Sequence, residues 1–185
     1  MIILGIDPGL TRCGLGVIQT EAARKIRFID VRVATTAPSA LLENRILAIA
    51  NEIQSAIATQ KPTLIALERV FAQSNLPSVM GVAQVSGVVL HLAAQAGIPV
   101  SWHTPTQVKA AVTGSGRAAK GQVGFMVAKI LNLPEIPKPA DAADALAIAI
   151  TAAWGSGAVE PSSTSQTPAQ KKWLAAVAKA EKGKG

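Results

Sequence analysis

The chain has 185 residues, of which 49% are hydrophobic, and it carries a formal net charge of +7. This length allows one compact domain with an additional segment, and the single Cys13 excludes an intrachain disulfide. No Cys or His residues occur at the spacing that is typical of zinc ligands. The sequence also shows no signal peptide and no membrane-spanning stretch, so we expect a cytoplasmic protein. The basic charge suits a polyanion such as nucleic acid, although many basic proteins merely have a solvated charged face.

The first 35 residues predict three antiparallel strands. Residues 1–17, MIILGIDPGLTRCGLGV, place an apolar run before Asp7, then a Pro-Gly turn, then a second apolar run that returns. Residues 25–35 alternate apolar and polar side chains, as in a strand with one solvated face. An unpaired carboxylate is costly on a central strand, so we expect Asp7 to have a cation or a network of donors as its partner.

The middle of the chain predicts helices alternating with buried strands. Residues 41–57 form an amphipathic helix, residues 63–67 a short strand that ends in Glu68, and residues 98–102 a fifth strand. Between the last two, residues 76–96 predict a long helix without any Lys, Arg, Asp or Glu. This helix is either enclosed in the core or a smooth surface on which a second copy of the chain packs.

The remaining sequence predicts three helices and a tail. Thr104-Pro105 has the pattern of a helix start, a glycine-rich basic loop at 113–120 leads into a helix at 122–131, and an alanine-rich helix covers 140–154. The loop either contacts phosphates or is simply mobile. From residue 155 the composition shifts to Ser, Thr, Gly and Pro. We therefore predict one domain at 1–154 and a flexible basic tail at 155–185.

Four carboxylates are expected to meet at one edge of the predicted sheet. Asp7 lies on the first strand, Glu68 ends the fourth, and Asp141 and Asp144 share one face of the last helix. Together they would repel and show raised pKa values unless cations neutralised them, and such oxygen ligands favour Mg²⁺ or Mn²⁺. Two such ions hydrolyse phosphodiesters by activating water and stabilising the leaving 3′-oxygen. Considered singly, these carboxylates also have ordinary structural explanations. Asp141 suits the first turn of a helix, where an acid complements the helix dipole, and Glu68 suits a surface position at the end of a strand.

Four motifs follow one another along the chain: GIDPG with the following Gly14 and Gly16, LERVF at 67–71, KAAVTGSGRAAK at 109–120 and DAADALAIAI at 141–150. In this order they resemble the RuvC family of Holliday junction resolvases. The motif GIDPG alone is weak evidence for this family, because actin-like ATPases and other ribonuclease H-like proteins share similar residues. The motif DAADALAIAI at this position is much more specific to the family. The resemblance covers about residues 1–154. It implies an α/β, ribonuclease H-like fold with a mixed five-stranded sheet flanked by helices.

The resemblance also implies a function. Proteins of this family are homodimers that resolve four-way DNA junctions in recombination and repair, by symmetric, metal-dependent nicks in two strands of like polarity. The implied cofactor is Mg²⁺, two ions per subunit, with Mn²⁺ as a substitute. The implied partners are junction DNA and a branch-migration helicase of the RuvA and RuvB type. No association with a membrane is expected.

Residue roles follow from the matching motifs. The resemblance implies that Lys120 acts beside the scissile phosphate, that Lys109 lies on the DNA side, and that Phe71 stacks on bases at the opened crossover. Arg117, in the glycine-rich loop, is a further candidate for DNA contact. The implied metal ligands are the four carboxylates, with a bridging role for the first: Asp7, Glu68, Asp141 and Asp144.

Two other functions compete with this interpretation. An actin-like ATPase or sugar kinase is suggested by Asp-x-Gly followed by further glycines, but those proteins need two such domains and a second phosphate loop, for which 185 residues are too few. A non-catalytic junction-binding protein is disfavoured by the intact set of four carboxylates.

Overall fold

A mixed sheet of six strands forms the centre of the computed structural model, which describes residues 1–69, 76–155 and 158–159. β1, β2 and β3 form an antiparallel meander, β1, β4 and β5 run parallel, and β6 pairs antiparallel with β5. The predicted mixed sheet of five strands is confirmed; β6 adds two residues from the stretch assigned to the tail. The strands, in the spatial order β3-β2-β1-β4-β5-β6, are β1 Ile2–Asp7, β2 Arg12–Thr20, β3 Ile26–Thr35, β4 Leu64–Glu68, β5 Val100–His103 and β6 Ala158–Val159.

Five α-helices within the described residues cover the two faces of the sheet: α1 Leu42–Gln60, α2 Leu76–Gln95, α3 Pro105–Thr113, α4 Lys120–Ile130 and α5 Ala140–Ala153. α1 and α2 enclose one apolar core, which includes Leu4 and Ile53, and α3 to α5 enclose the other, which includes Ile3 and Leu146. The helices occur in the predicted order. α4 begins two residues earlier than predicted, because the Gln122 side chain accepts a hydrogen bond from the Ala119 N–H at 2.8 Å.

The uncharged helix α2 is only half enclosed. Val85, Val89 and Ala93 are buried against the sheet and α1, whereas Met80 and Leu90 are 55% and 41% exposed. The alternative in which this helix is wholly enclosed in the core is therefore wrong. Within the described residues, no helix has the length and apolar character needed to cross a membrane.

Glycines on β1 and β2 let α5 lie directly on the sheet. A Cβ added at Gly5 would collide with the backbone oxygen of Ala145, and one added at Gly14 with the backbone oxygen of Asp141. A Cβ at Gly16 would lie 2.8 Å from the Leu146 backbone nitrogen. These close approaches set the height of α5 above the sheet, and hence the position of the acidic residues in its first turns.

Gly14→Ala is expected to lower the free energy of unfolding by about 1 to 3 kcal/mol, the usual cost of overpacking, because the added methyl group must push α5 outward. Urea unfolding measures this effect. Gly87→Ala is the matched control: a Cβ there meets nothing within 4 Å, so this helical substitution should be neutral or stabilising. Equal stability of the two variants would contradict a tight contact at Gly14.

Candidate active site

Three strand and helix ends converge on a cavity of about 270 Å³. Asp7 is the last residue of β1, Glu68 is the last residue of β4, and Asp144 lies in the second turn of α5. β1 and β4 are parallel neighbours, so their final carboxylates lie at the same edge of the sheet. The cavity is lined by these three acids, two cations and four other residues: Asp7, Glu68, Asp144, Lys109, Lys120, Pro105, Val108, Val123 and Ile148.

The negative charge of the two carboxylates at the strand ends, Asp7 and Glu68, is unfavourable in this environment. Burial, reinforced by the charges of Glu68, Asp144 and Asp141, raises the pKa of Asp7 to about 7. Burial, followed by the charge of Asp144, also raises the pKa of Glu68, and nearby Lys120 and Lys109 only partly oppose this. Such a site stabilises added positive charge, because a cation would relieve both the desolvation and the repulsion.

In the absence of divalent ions, Asp7 is expected to make the protein less stable as the pH rises. Its pKa is raised from 3.8 to about 7, so the folded protein retains a proton that the unfolded chain releases between these values. The unfolding free energy therefore falls across this interval by a few kcal/mol, at about 1.4 kcal/mol per pKa unit.

The measurement is urea unfolding in EDTA from pH 4 to 8, comparing the native chain with Asp7→Asn. The comparison is needed because burial lowers the pKa of His103 from 6.5 to about 4, so this residue makes the unfolding free energy rise with pH between these values. Its contribution opposes that of Asp7 but is the same in both proteins. Asp30→Asn, at a carboxylate paired with Arg32, is the charge-matched control. Parallel curves for the native chain and Asp7→Asn would refute the prediction.

Each of the two carboxylates on α5 is paired with a cation. Arg12 Nε lies 2.8 Å from Asp141 Oδ2, and Lys120 Nζ lies 2.7 Å from Asp144 Oδ2. The hydrogen bond to Asp144 raises the pKa of the Lys120 ammonium, so this side chain is charged at neutral pH. Asp141 lies beside the cavity and lines a neighbouring cleft instead. The structure thus brings the four predicted carboxylates to one edge of the sheet, with three in the cavity and the fourth next to it.

The donor set suits a hard divalent cation. All four side chains are carboxylates, and the charge of Asp7 and Glu68 is poorly compensated. Across residues 1–69, 76–155 and 158–159, no three His, Cys, Asp or Glu side chains are grouped as ligands of a single ion. Asp141 and Asp144 are instead bonded to Arg12 and Lys120. Binding an ion among all four therefore requires these two carboxylates to share or exchange their partners.

Helix starts position the two predicted cations. The Thr104 hydroxyl accepts from the Gln107 N–H at 3.2 Å and the Gln107 side chain accepts from the Thr104 N–H at 2.8 Å, which confirms the predicted start of α3. α3 carries Lys109 to the cavity wall, and the first residue of α4 is Lys120. Of the other predicted DNA contacts, Arg117 is exposed in the loop between α3 and α4. Phe71 lies outside the described residues.

Two neighbours of the site were missed from the sequence. Arg12 is the partner of Asp141, and the sequence signal for it was a basic residue directly after the turn that follows Asp7. His103, paired with Glu68 across β4 and β5, is fully buried and bonded through Nε2 to Ser101 Oγ at 3.0 Å. Because burial lowers its pKa to about 4, His103 is neutral at pH 7 and does not offset the charge of Glu68. A single histidine in an apolar strand gave no sequence signal.

Comparison with known proteins decides the family. The family model for the crossover junction endodeoxyribonuclease RuvC matches residues 3–152. The chain belongs to the RuvC family. A RuvC of Pseudarthrobacter chlorophenolicus is 52% identical over 188 residues, covering 98% of each chain. One of Clavibacter michiganensis is 50% identical over 194 residues, covering 95% of this chain and 96% of that one.

Solved structures agree with the RuvC assignment. Thermus thermophilus RuvC in complex with a Holliday junction substrate is 38% identical, with a TM-score of 0.79 over 85% of this chain and 98% of that chain. The yeast mitochondrial Holliday junction resolvase Ydc2 is 14% identical with a TM-score of 0.59, a similarity of fold alone. The predicted ribonuclease H-like fold and the predicted enzyme class, a phosphodiester hydrolase, are confirmed. RuvC membership also implies dependence on a divalent metal ion.

Proposed function

We propose that this chain resolves Holliday junctions in DNA recombination and repair, by hydrolysing one phosphodiester in each of two strands of like polarity. The observation that carries the proposal is the cavity in which Asp7, Glu68 and Asp144 face Lys109 and Lys120. A cavity lined by both signs of charge suits a phosphate together with a bound metal ion, and the basic chain suits DNA as the substrate. The similarity to resolvases over nearly the whole chain supports the same conclusion.

The four carboxylates Asp7, Glu68, Asp141 and Asp144 are the proposed metal ligands, for two Mg²⁺ ions per subunit, with Mn²⁺ as a substitute. Ions held there would activate a water molecule and stabilise the leaving 3′-oxygen. Asp7 and Glu68 suit this role because their charges are desolvated and mutually repulsive. Asp7, at the end of the central strand β1, is the proposed bridging ligand.

Lys120 is proposed to stabilise negative charge that develops on the phosphate. Its ammonium carries a full charge at neutral pH and already lies in the cavity, 2.7 Å from Asp144. Lys109, which also lines the cavity, would hold the DNA backbone. Arg117 and Phe71 keep their predicted roles in phosphate contact and base stacking.

Two symmetric cuts require two active sites, which we propose are supplied by a homodimer. The exposed apolar side chains Met80 and Leu90 on the uncharged helix α2 support an interface there. We further propose that the enzyme acts in the cytoplasm with a branch-migration helicase of the RuvA and RuvB type, and that residues 155–185 form a basic tail, which is joined to the sheet of the nuclease domain through β6.

The test is incubation of the purified chain with a labelled mobile four-way junction and a matched linear duplex, in Mg²⁺, Mn²⁺ or EDTA. Paired, symmetric nicks in the junction alone, absent in EDTA, are expected. Tight junction binding without nicks in any metal would make the chain a binding protein. ATP binding in calorimetry, without nuclease activity, would favour the actin-like alternative.

A further inference from the structure

A second cleft is lined in part by Asp141, the carboxylate that lies next to the catalytic cavity. Its volume is about 400 Å³, and its walls are the turn between β1 and β2, one residue of α1 and two of α2. The two cationic residues that line it, Arg12 and Arg45, have been given no role in the proposed function. The complete lining is Gly9, Leu10, Thr11, Arg12, Arg45, Gly81, Val82 and Asp141.

Arg12 is held over Asp141 with much of its side chain in solvent. It is the first residue of β2 and lies two positions before Gly14, where the backbone of Asp141 touches the strand. Its side chain is 58% exposed, whereas that of Asp141 is 17% exposed. A guanidinium has five N–H donors, and the Nε bond to Asp141 at 2.8 Å uses one of them. Its terminal amino groups can therefore bind a second acceptor while Nε stays on Asp141.

Arg45 is fixed at the same cleft by neutral groups. Its Nε donates to Thr36 Oγ1 and its Nη2 to Thr11 Oγ1, both at 2.9 Å. Thr36 Oγ1 in turn donates to the Leu10 carbonyl at 2.6 Å. Hydroxyl acceptors orient the guanidinium without cancelling its charge. The side chain is thus ordered before any ligand arrives, which lowers the entropy that binding would cost.

We propose that Arg12 and Arg45 bind a backbone phosphate of the DNA, next to the phosphate that is cut. A guanidinium matches the oxygens of a phosphate with paired N–H donors, and two of them line this cleft. A strand that places one phosphate at the carboxylates must place its neighbours on either side, and Asp141 belongs both to the group of carboxylates and to the lining of this cleft. The inference rests on the proposed function, because it requires DNA at the carboxylates.

The phosphate site also gives Arg12 a positioning role. An ionised carboxylate has two oxygens, and Arg12 bonds only Oδ2 of Asp141, which leaves Oδ1 for another ligand. One guanidinium thus connects the phosphate to a proposed metal ligand, and bound DNA would fix the orientation of Asp141. Hydrogen bonds of this kind commonly orient carboxylates that ligate metals.

The test is equilibrium binding of the full chain to a four-way junction in EDTA over a range of salt concentrations. Arg12→Gln should weaken binding about tenfold and reduce the slope of log K against log salt by about 1, the value for one lost phosphate contact. Arg45→Gln should do the same, with urea unfolding to verify that the turn remains folded. Arg12→Lys, which keeps the charge but not the paired donors, should recover most of the slope and only part of the affinity.

Arg27→Gln is the matched control. Its side chain is also 58% exposed, but it lies on β3 opposite Gln19, at the far end of β2 from Arg12. An unchanged slope for a folded Arg12→Gln, with intact binding by the native chain, would overturn this inference alone. Failure of the native chain to bind junctions would instead refute the proposed function, and this inference with it.

Discussion

Replacing Asp7 with Asn is expected to slow junction cleavage by at least about a thousandfold while leaving junction binding intact, because several kcal/mol of transition-state stabilisation depend on metal ligands. The carboxylate lies at the end of β1 among three other acids, and burial with their charges raises its pKa to about 7. An amide preserves the shape of the side chain but removes the charge that attracts the ion. Single-turnover cleavage and gel-shift binding measure the two effects.

A stability measurement separates this role from a structural one. If the half-buried charge of Asp7 serves metal binding, its removal should make the protein more stable in EDTA at pH 8, where the native carboxylate is mostly ionised and is repelled by its acidic neighbours. Glu68→Gln should behave similarly, since the pKa of Glu68 is also raised. The variant Asp30→Asn should cleave normally, because Asp30 lies on β3 opposite Val17 and does not line the cavity. Loss of cleavage, binding and stability together would assign Asp7 a structural role instead.

Replacing Lys120 with Gln is expected to reduce the cleavage rate by about 10² to 10³, the usual cost of removing one charged donor from a developing oxyanion. The hydrogen bond to Asp144 keeps this ammonium in the cavity and raises its pKa. Junction affinity should fall by much less, because one phosphate contact among several is lost. Pre-steady-state cleavage at saturating enzyme separates the rate from the affinity.

The control is Lys129→Gln, at the last turn of the same helix, where the ammonium lies 5.9 Å from the centre of the Phe125 ring. This variant changes the net charge by the same amount without touching the cavity, so its cleavage rate should equal that of the native chain. A parallel loss in both variants would show that Lys120 acts only through the general basic charge of α4.

Much of the fold could be predicted because its elements have strong local signals. The alternation in β3, the apolar run of β4 before Glu68, and Thr104-Pro105 before α3 each specify an element through nearby residues alone. The start of α4 was misplaced by two residues, since a Gln122 side chain that reaches back to Ala119 leaves no periodic signal. The strand β6 was missed because two residues are too few to show a pattern.

The sequence by itself determined the kind of chemistry, through the order of its motifs and the positions of its four carboxylates at the ends of strands and the start of a helix. Only the tertiary structure decided how these charges are shared. Asp7 and Glu68 are half-buried and poorly compensated, whereas Asp141 and Asp144 are held by Arg12 and Lys120. Each of these pairs joins residues at least 24 positions apart, and what brings them together is the packing of α4 and α5 on the sheet, where Gly5, Gly14 and Gly16 leave room for α5. Electrostatic energies depend on burial and on such distances, which no local pattern encodes.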